Sequence, residues 1–199
     1  MKTLFSFILY LYFFNVQDQP IIPTVEVQIK TAVLAAPAEL QAEATVYGYN
    51  NEGKMVLLRK GNNQLICLAD DPRIPGFNVA SYHKDLDPFM NRGRELKLEG
   101  KKGKEIEDIR VKEIEEGQLK MPTQPTTLYV LTAPENNYNK NTGEVNNTHI
   151  RYVVYTPYAT SESTGLPLRP HAPGMPWIMD PGTPHAHIMI TPPANDKEK

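Results

Sequence analysis

His185 and His187, one alanine apart in the stretch DPGTPHAHIMITPP, are the residues of this chain best spaced for metal chemistry. In a β-strand side chains alternate faces, so both imidazoles would project to one side, with Cα atoms about 6.5 Å apart. Both can then reach a single zinc or another divalent ion, each nitrogen about 2.0–2.1 Å from it. A metal needs at least a third ligand. Asp180, His83, His171 and His149 are the side chains the fold would have to bring close. The competing reading is a histidine pair at a strand entrance, one of them hydrogen-bonded to the adjoining proline-rich loop.

Pro181-Gly182 ahead of His185-Ala186-His187 resembles the first metal motif of cupin barrels, over a short stretch only. That resemblance implies a downstream glutamate and a second motif with another histidine. After His187 only 12 residues remain, and their sole glutamate is Glu198. The chain is therefore not read as a cupin.

A second group of chemical residues is Ser81-Tyr82-His83-Lys84, followed by Arg92, Arg94 and Glu95. His83 has the titration range of a general base, and Arg92 or Arg94 could clamp an anionic group with two parallel donors. The structural alternative places Asp85 and Asp87 at a helix N-terminus and pairs Arg92 with Glu95 at i, i+3. No Gly-x-Ser-x-Gly elbow, phosphate loop, dinucleotide fingerprint or His-Glu-x-x-His motif occurs.

The third candidate is HAPGMPWIMDPGTP, which holds the only tryptophan, Trp177, with Met175 and Met179. So apolar a loop cannot sit free in water, so it covers the core or lines a groove. Trp177, with Tyr129, Tyr152, Tyr155 and Tyr158 from neighbouring segments, would suit a flat or sugar-like ligand, bound in a groove near Trp177, His171, His185 and the tyrosine-rich strands. ATSESTG at 159–165 reads as a helical turn capped by Thr160 or Ser161. Asn146-Asn147-Thr148 matches the N-glycosylation pattern but reads here as a polar loop.

These residues need elements to position them. Val25, Ile29, Val33 and Ala36 mark one stripe of an N-terminal helix that Pro37 stops. Three β-favouring runs, 44–50, 54–60 and 64–69, are punctuated by Asn50–Gly53 and Lys60–Asn63, which predicts two hairpins and an antiparallel meander. Two helices follow, about Lys84 to Leu98 and Lys104 to Glu116, with Gly93 as a misfit inside the first. Strands are expected at 126–132, 150–156 and 186–191, joined by Pro-rich loops. Strands, then helices, then strands indicate a single α+β domain over 19–192, with a disordered tail at 193–199.

The remaining readings concern the setting. A basic start followed by the 11 uncharged residues Leu4 to Phe14 is too short to span a bilayer and has the pattern of a signal peptide over 1–18. The expected setting is periplasmic or secreted, in a bacterium, with no integral membrane span after its removal. About 180 residues remain, enough for one core. A net charge of −2 and the lack of a basic stripe argue against nucleic acid. Cys67 is the only cysteine and lies in an apolar run, so it is read as a buried thiol. The expected function is a ligand-binding or envelope-associated module, its partner a small molecule or an envelope protein. The alternatives are a small hydrolase using one divalent metal such as zinc at His185 and His187, and a structural partner in an envelope assembly.

Overall fold

A computed structural model describes residues 20–193; residues 1–19, which include the expected signal segment at 1–18, and residues 194–199 of the expected tail lie outside the described residues. The strands are β1 (Thr45–Tyr49), β2 (Met55–Arg59), β3 (Leu65–Leu68), β4 (Phe77–His83), β5 (Thr126–Ala133), β6 (Tyr138–Asn139), β7 (Glu144–Val145), β8 (His149–Tyr155), β9 (Trp177–Met179) and β10 (His187–Ile190). The helices are α1 (Val25–Ala32), α2 (Asp87–Leu98), α3 (Lys104–Glu115) and the single turn α4 (Ser161–Thr164). Eight strands form one sheet in the order β2-β1-β3-β4-β5-β8-β10-β9, and β6 and β7 form a separate hairpin. The chain is an α+β domain, as its pattern of strands and helices indicates.

Strand alternation sorts the core onto two faces. Val46, Leu65, Cys67 and Ala69 pack against Ala32, Val33 and Ala36 at the end of α1, and Phe77, Val79, Leu131 and Ala133 continue the same face. Tyr82, Leu128, Val153, Tyr155 and Met189 point the other way and meet Leu86 and Phe89, with Met90 of α2 and Ile114 of α3 packed alongside. The layers are thus α1, sheet, and α2 with α3.

α1 begins where Thr24 Oγ1 accepts from the Val27 N–H at 3.3 Å. Its buried positions are Val27, Gln28, Thr31 and Ala32, whereas Val25 is exposed, so the face turned inward differs from the apolar stripe. Two polar residues can face inward because their groups are bonded there: Thr31 Oγ1 donates to Val27 O at 2.9 Å, and the Gln28 amide bridges Pro23 and Tyr49.

The three runs after α1 all form strands, but not a meander. β1 and β2 make the expected hairpin, with Gly53 at φ 71° and Asn50 Oδ1 accepting from the Glu52 and Lys54 N–H groups. β3 does not turn back along β2. It crosses to the far side of β1 and pairs with it in parallel. The connection is held against the start of β1: the Asn62 and Asn63 N–H groups donate to Glu43 O, Gly61 N–H donates to Thr45 Oγ1, and the Arg59 guanidinium donates to the Ala44 and Gln41 carbonyls.

β4 lies in mid-sheet although no strand is expected over its sequence, FNVASYH. Ser81 is wholly buried with its hydroxyl 3.5 Å from Cys67 Sγ, so a polar residue occupies a core position. Cys67 is itself buried, and burial pushes its thiol up. The helices α2 and α3 form where expected. Gly93 ceases to be a misfit once Arg110 is placed, because a Cβ there would sit 3.1 Å from Arg110 Nη1. Arg92 locks the two helices by forking onto both carboxylate oxygens of Glu113, Nε at 3.0 and 2.9 Å. Among the described residues no helix is long and apolar enough to cross a membrane.

Candidate functional site

The histidine pair does lie at a strand entrance. His187 opens β10 opposite Tyr155, its ring 5.1 Å from the tyrosine ring, and its Nδ1 is 2.9 Å from the His185 carbonyl, a hydrogen bond that requires the proton on Nδ1. His185 is buried, stacked on Phe89 with ring centroids 6.4 Å apart. Its Nε2 faces Asp180 Oδ2 at 3.3 Å. Asp180 directly follows β9 and opens the turn to β10 at φ 52°.

His83 is not in reach of this group. It ends β4 and accepts the Asp85 N–H on its own Nδ1. The strand order places β5 and β8 between β4 and β10, which at about 4.8 Å per strand makes roughly 14 Å. His171 lies instead in a separate groove. Among the described residues no group of three or more His, Cys, Asp or Glu side chains is placed to hold a metal ion.

Beside the histidines stands Arg110, a residue that no motif or spacing in the chain singles out. Its guanidinium lies 3.8 Å from the Phe89 ring centroid and donates to Phe89 O at 3.3 Å. Arg110 Nε and His185 Nδ1 are both buried without a partner among the described residues. Burial lowers the His185 pKa; Asp180 and Glu107 oppose that, while His187 and Arg110 add to it.

That lowering has a sign in stability. Below the ordinary histidine value of 6.5 the unfolded chain binds the proton more readily than the native one. Stability from neutral His185 is therefore full above that pH and lost on acidification. Replacing His185 by Gln is expected to flatten the pH dependence of the urea midpoint below pH 6.5, by part of the roughly 1.4 kcal/mol per pH unit that one proton can carry. An unchanged slope in the variant would show that His185 is not the titrating group.

Arg92 and Arg94 are not brought to the groove. Arg92 also reaches Glu95 and Glu99, at 3.3 and 3.1 Å. Arg94 donates to the Tyr82 hydroxyl at 2.9 Å and to Asp87 Oδ1 at 3.1 Å. Both serve the packing of α2. The aromatic set is divided as well. Tyr155 and Trp177 are on the α2 side of the sheet, and Tyr155 is buried against Phe89. Tyr129 and Tyr152 meet edge to face on the opposite side, 6.0 Å apart, and Tyr158 is exposed beyond the end of β8.

Trp177 and His171 do share a site. They line an open groove of about 510 Å³ with Pro170, Pro173 and Met175 on one side and Thr191 to Pro193 on the other. It forms because β9 and β10 run antiparallel, which brings the start of one beside the end of the other. The loop is tied down where Gly174, at φ 77°, donates its N–H to Thr191 O at 3.1 Å. Further back, Ile178 N–H reaches Pro167 O at 3.0 Å, and Thr160 caps α4 with Ser163 bonding back to it.

The chain matches no protein-family model, no curated protein and no solved structure.

Proposed function

We propose that this protein is an exported bacterial ligand-binding module whose binding site is the groove between the 170–177 loop and Thr191–Pro193. The observation that carries the reading is the groove itself: an indole, a thioether and proline rings around about 510 Å³ of space, with His171 as its titratable side chain. Apolar walls with few polar groups are the usual make-up of a small-molecule site. A half-buried indole and proline rings favour a flat, weakly polar ring such as a sugar or an aromatic compound. The signal-like N-terminal sequence supports placement outside the cytoplasm.

Trp177 is the only tryptophan, so its fluorescence reports on this groove alone. Titration with monosaccharides and simple aromatic compounds is expected to shift its emission saturably for at least one class. Trp177→Phe should weaken that binding several-fold, and Trp177→Ala should lose it, read by calorimetry because the fluorophore is then absent. An emission unchanged by every compound at millimolar concentration would end the proposal.

A further inference from the structure

The opposite end of the sheet carries a second groove, of about 470 Å³, that the reading above does not use. It lies over β1, β2 and β3 on the face that α2 and α3 cover further along. Tyr47, Leu57 and Ile66 share this face, since Tyr47 pairs with Leu57 across β2 and Thr45 with Ile66 across β3. Leu57 is 50% exposed, so a large aliphatic side chain is left in the open where the helical layer ends.

The charged residues at this groove have one sign. Lys60 and Lys84 both line it, and no carboxylate does. The lysine ion pairs among the described residues belong to Lys54, Lys101, Lys104, Lys112 and Lys140, so Lys60 and Lys84 have none. Glu52, the acid nearest Lys60 in sequence, is paired with Lys54 Nζ at 2.9 Å, and Asp85, next to Lys84, is not among the residues that line the groove. The wall between the lysines is anchored by backbone. The 60–63 connection is bonded to Glu43 and Thr45, and the Lys84 N–H donates to Gln64 O at 2.8 Å. Two cations without partners, held on fixed segments over an apolar floor, complement a molecule with one anionic end and an apolar body.

We propose that this groove binds a small organic carboxylate, its hydrocarbon or ring body on Leu57, Tyr47 and Ile66 and its carboxylate at Lys60 and Lys84. The site is distinct from the Trp177 groove, with four strands between β3 and β9 in the sheet order.

The test is calorimetric titration of the mature protein with octanoate and benzoate, and with octanol and benzyl alcohol as uncharged counterparts. The carboxylates are expected to bind about tenfold or more tightly than the alcohols. Lys60→Gln and Lys84→Gln should each weaken them about three- to tenfold, as loss of one exposed charge-assisted contact implies. Raising the ionic strength to about 1 M, where screening acts over about 3 Å, should have a similar effect. Both lysines are exposed, so unchanged thermal melting of the variants is the control for folding. Trp177→Phe should leave this binding intact, which separates failure here from failure of the other groove. Equal binding of acids and alcohols, affinity untouched in the double lysine variant, or no carboxylate binding up to about 10 mM would each overturn the proposal.

Discussion

Replacing Gly61 by alanine is expected to abolish cooperative folding or to lower stability by about 4 kcal/mol or more, at the severe end of single substitutions. A Cβ at this position would lie well under 3.0 Å from Glu43 O, Ala44 C and Thr45 N. All three are backbone atoms in the segment that starts β1, so no side-chain rotation can relieve the clash. Relief requires moving the 60–63 connection away from β1, which breaks the bonds that carry the chain across to β3. Gly53→Ala is the control. Gly53 has φ 71° and nothing within 4 Å of its would-be Cβ, so only the left-handed backbone penalises alanine, by about 1–2 kcal/mol. Urea unfolding of both variants compares them, and equal losses would refute the steric explanation. The lysine groove should fail with Gly61, because its wall is this connection.

Gln28→Leu is expected to cost about 3–5 kcal/mol although it makes a buried residue more apolar. Gln28 is 97% buried by its 3% exposure, and its amide makes three bonds: Nε2 donates to Pro23 O and Tyr49 O, both at 2.9 Å, and Oε1 accepts from Tyr49 N at 2.6 Å. Leucine fills similar space but strands two carbonyls and one N–H away from water, each costing about 1–3 kcal/mol. Gln28→Glu discriminates between lost packing and lost hydrogen bonds. An ionised glutamate sets a charge against the Pro23 and Tyr49 carbonyls, whereas a protonated one can donate to one of them. Its stability relative to the wild type should therefore improve as pH falls, which the leucine variant should not show. A loss below about 1 kcal/mol for Gln28→Leu would mean that these three groups find other partners.

Much of the element inventory was legible because local signals agreed with what packing later required. The Asn50–Gly53 turn needs a residue at positive φ and has Gly53 there. α2 and α3 run over the expected residues, and β5, β8 and β10 are runs rich in β-branched and aromatic residues that pair side by side in the sheet. β4 was not legible, since Asn78, Ser81 and His83 break the apolar alternation, and only neighbours on both sides give those backbone groups partners. Gly93, a misfit by its sequence, and Gln28, which lies off the apolar stripe of α1 yet is buried, are each explained by a contact 17 to 21 residues away, with Arg110 and Tyr49.

The candidate sites divide along the same line. Local pattern alone places His185 and His187 together at a strand end, shows that the segment around Trp177 is too apolar to stand free, and makes Cys67 a core residue; that Trp177–Met179 is a strand rather than loop came only from its pairing with β10. Each follows from local periodicity or composition. The tertiary structure decided which of these residues meet. It turned His185 to Asp180 and Phe89, kept His83 three strands away, spent Arg92 and Arg94 on α2 and α3, and joined Trp177 and His171 in one groove. It also left Lys60 and Lys84 together over an apolar floor, a pairing of residues 24 positions apart in the chain that follows from β3 crossing β1. Strand order and register are set by long-range pairing, and a one-dimensional pattern fixes which face a side chain takes without fixing its neighbours there.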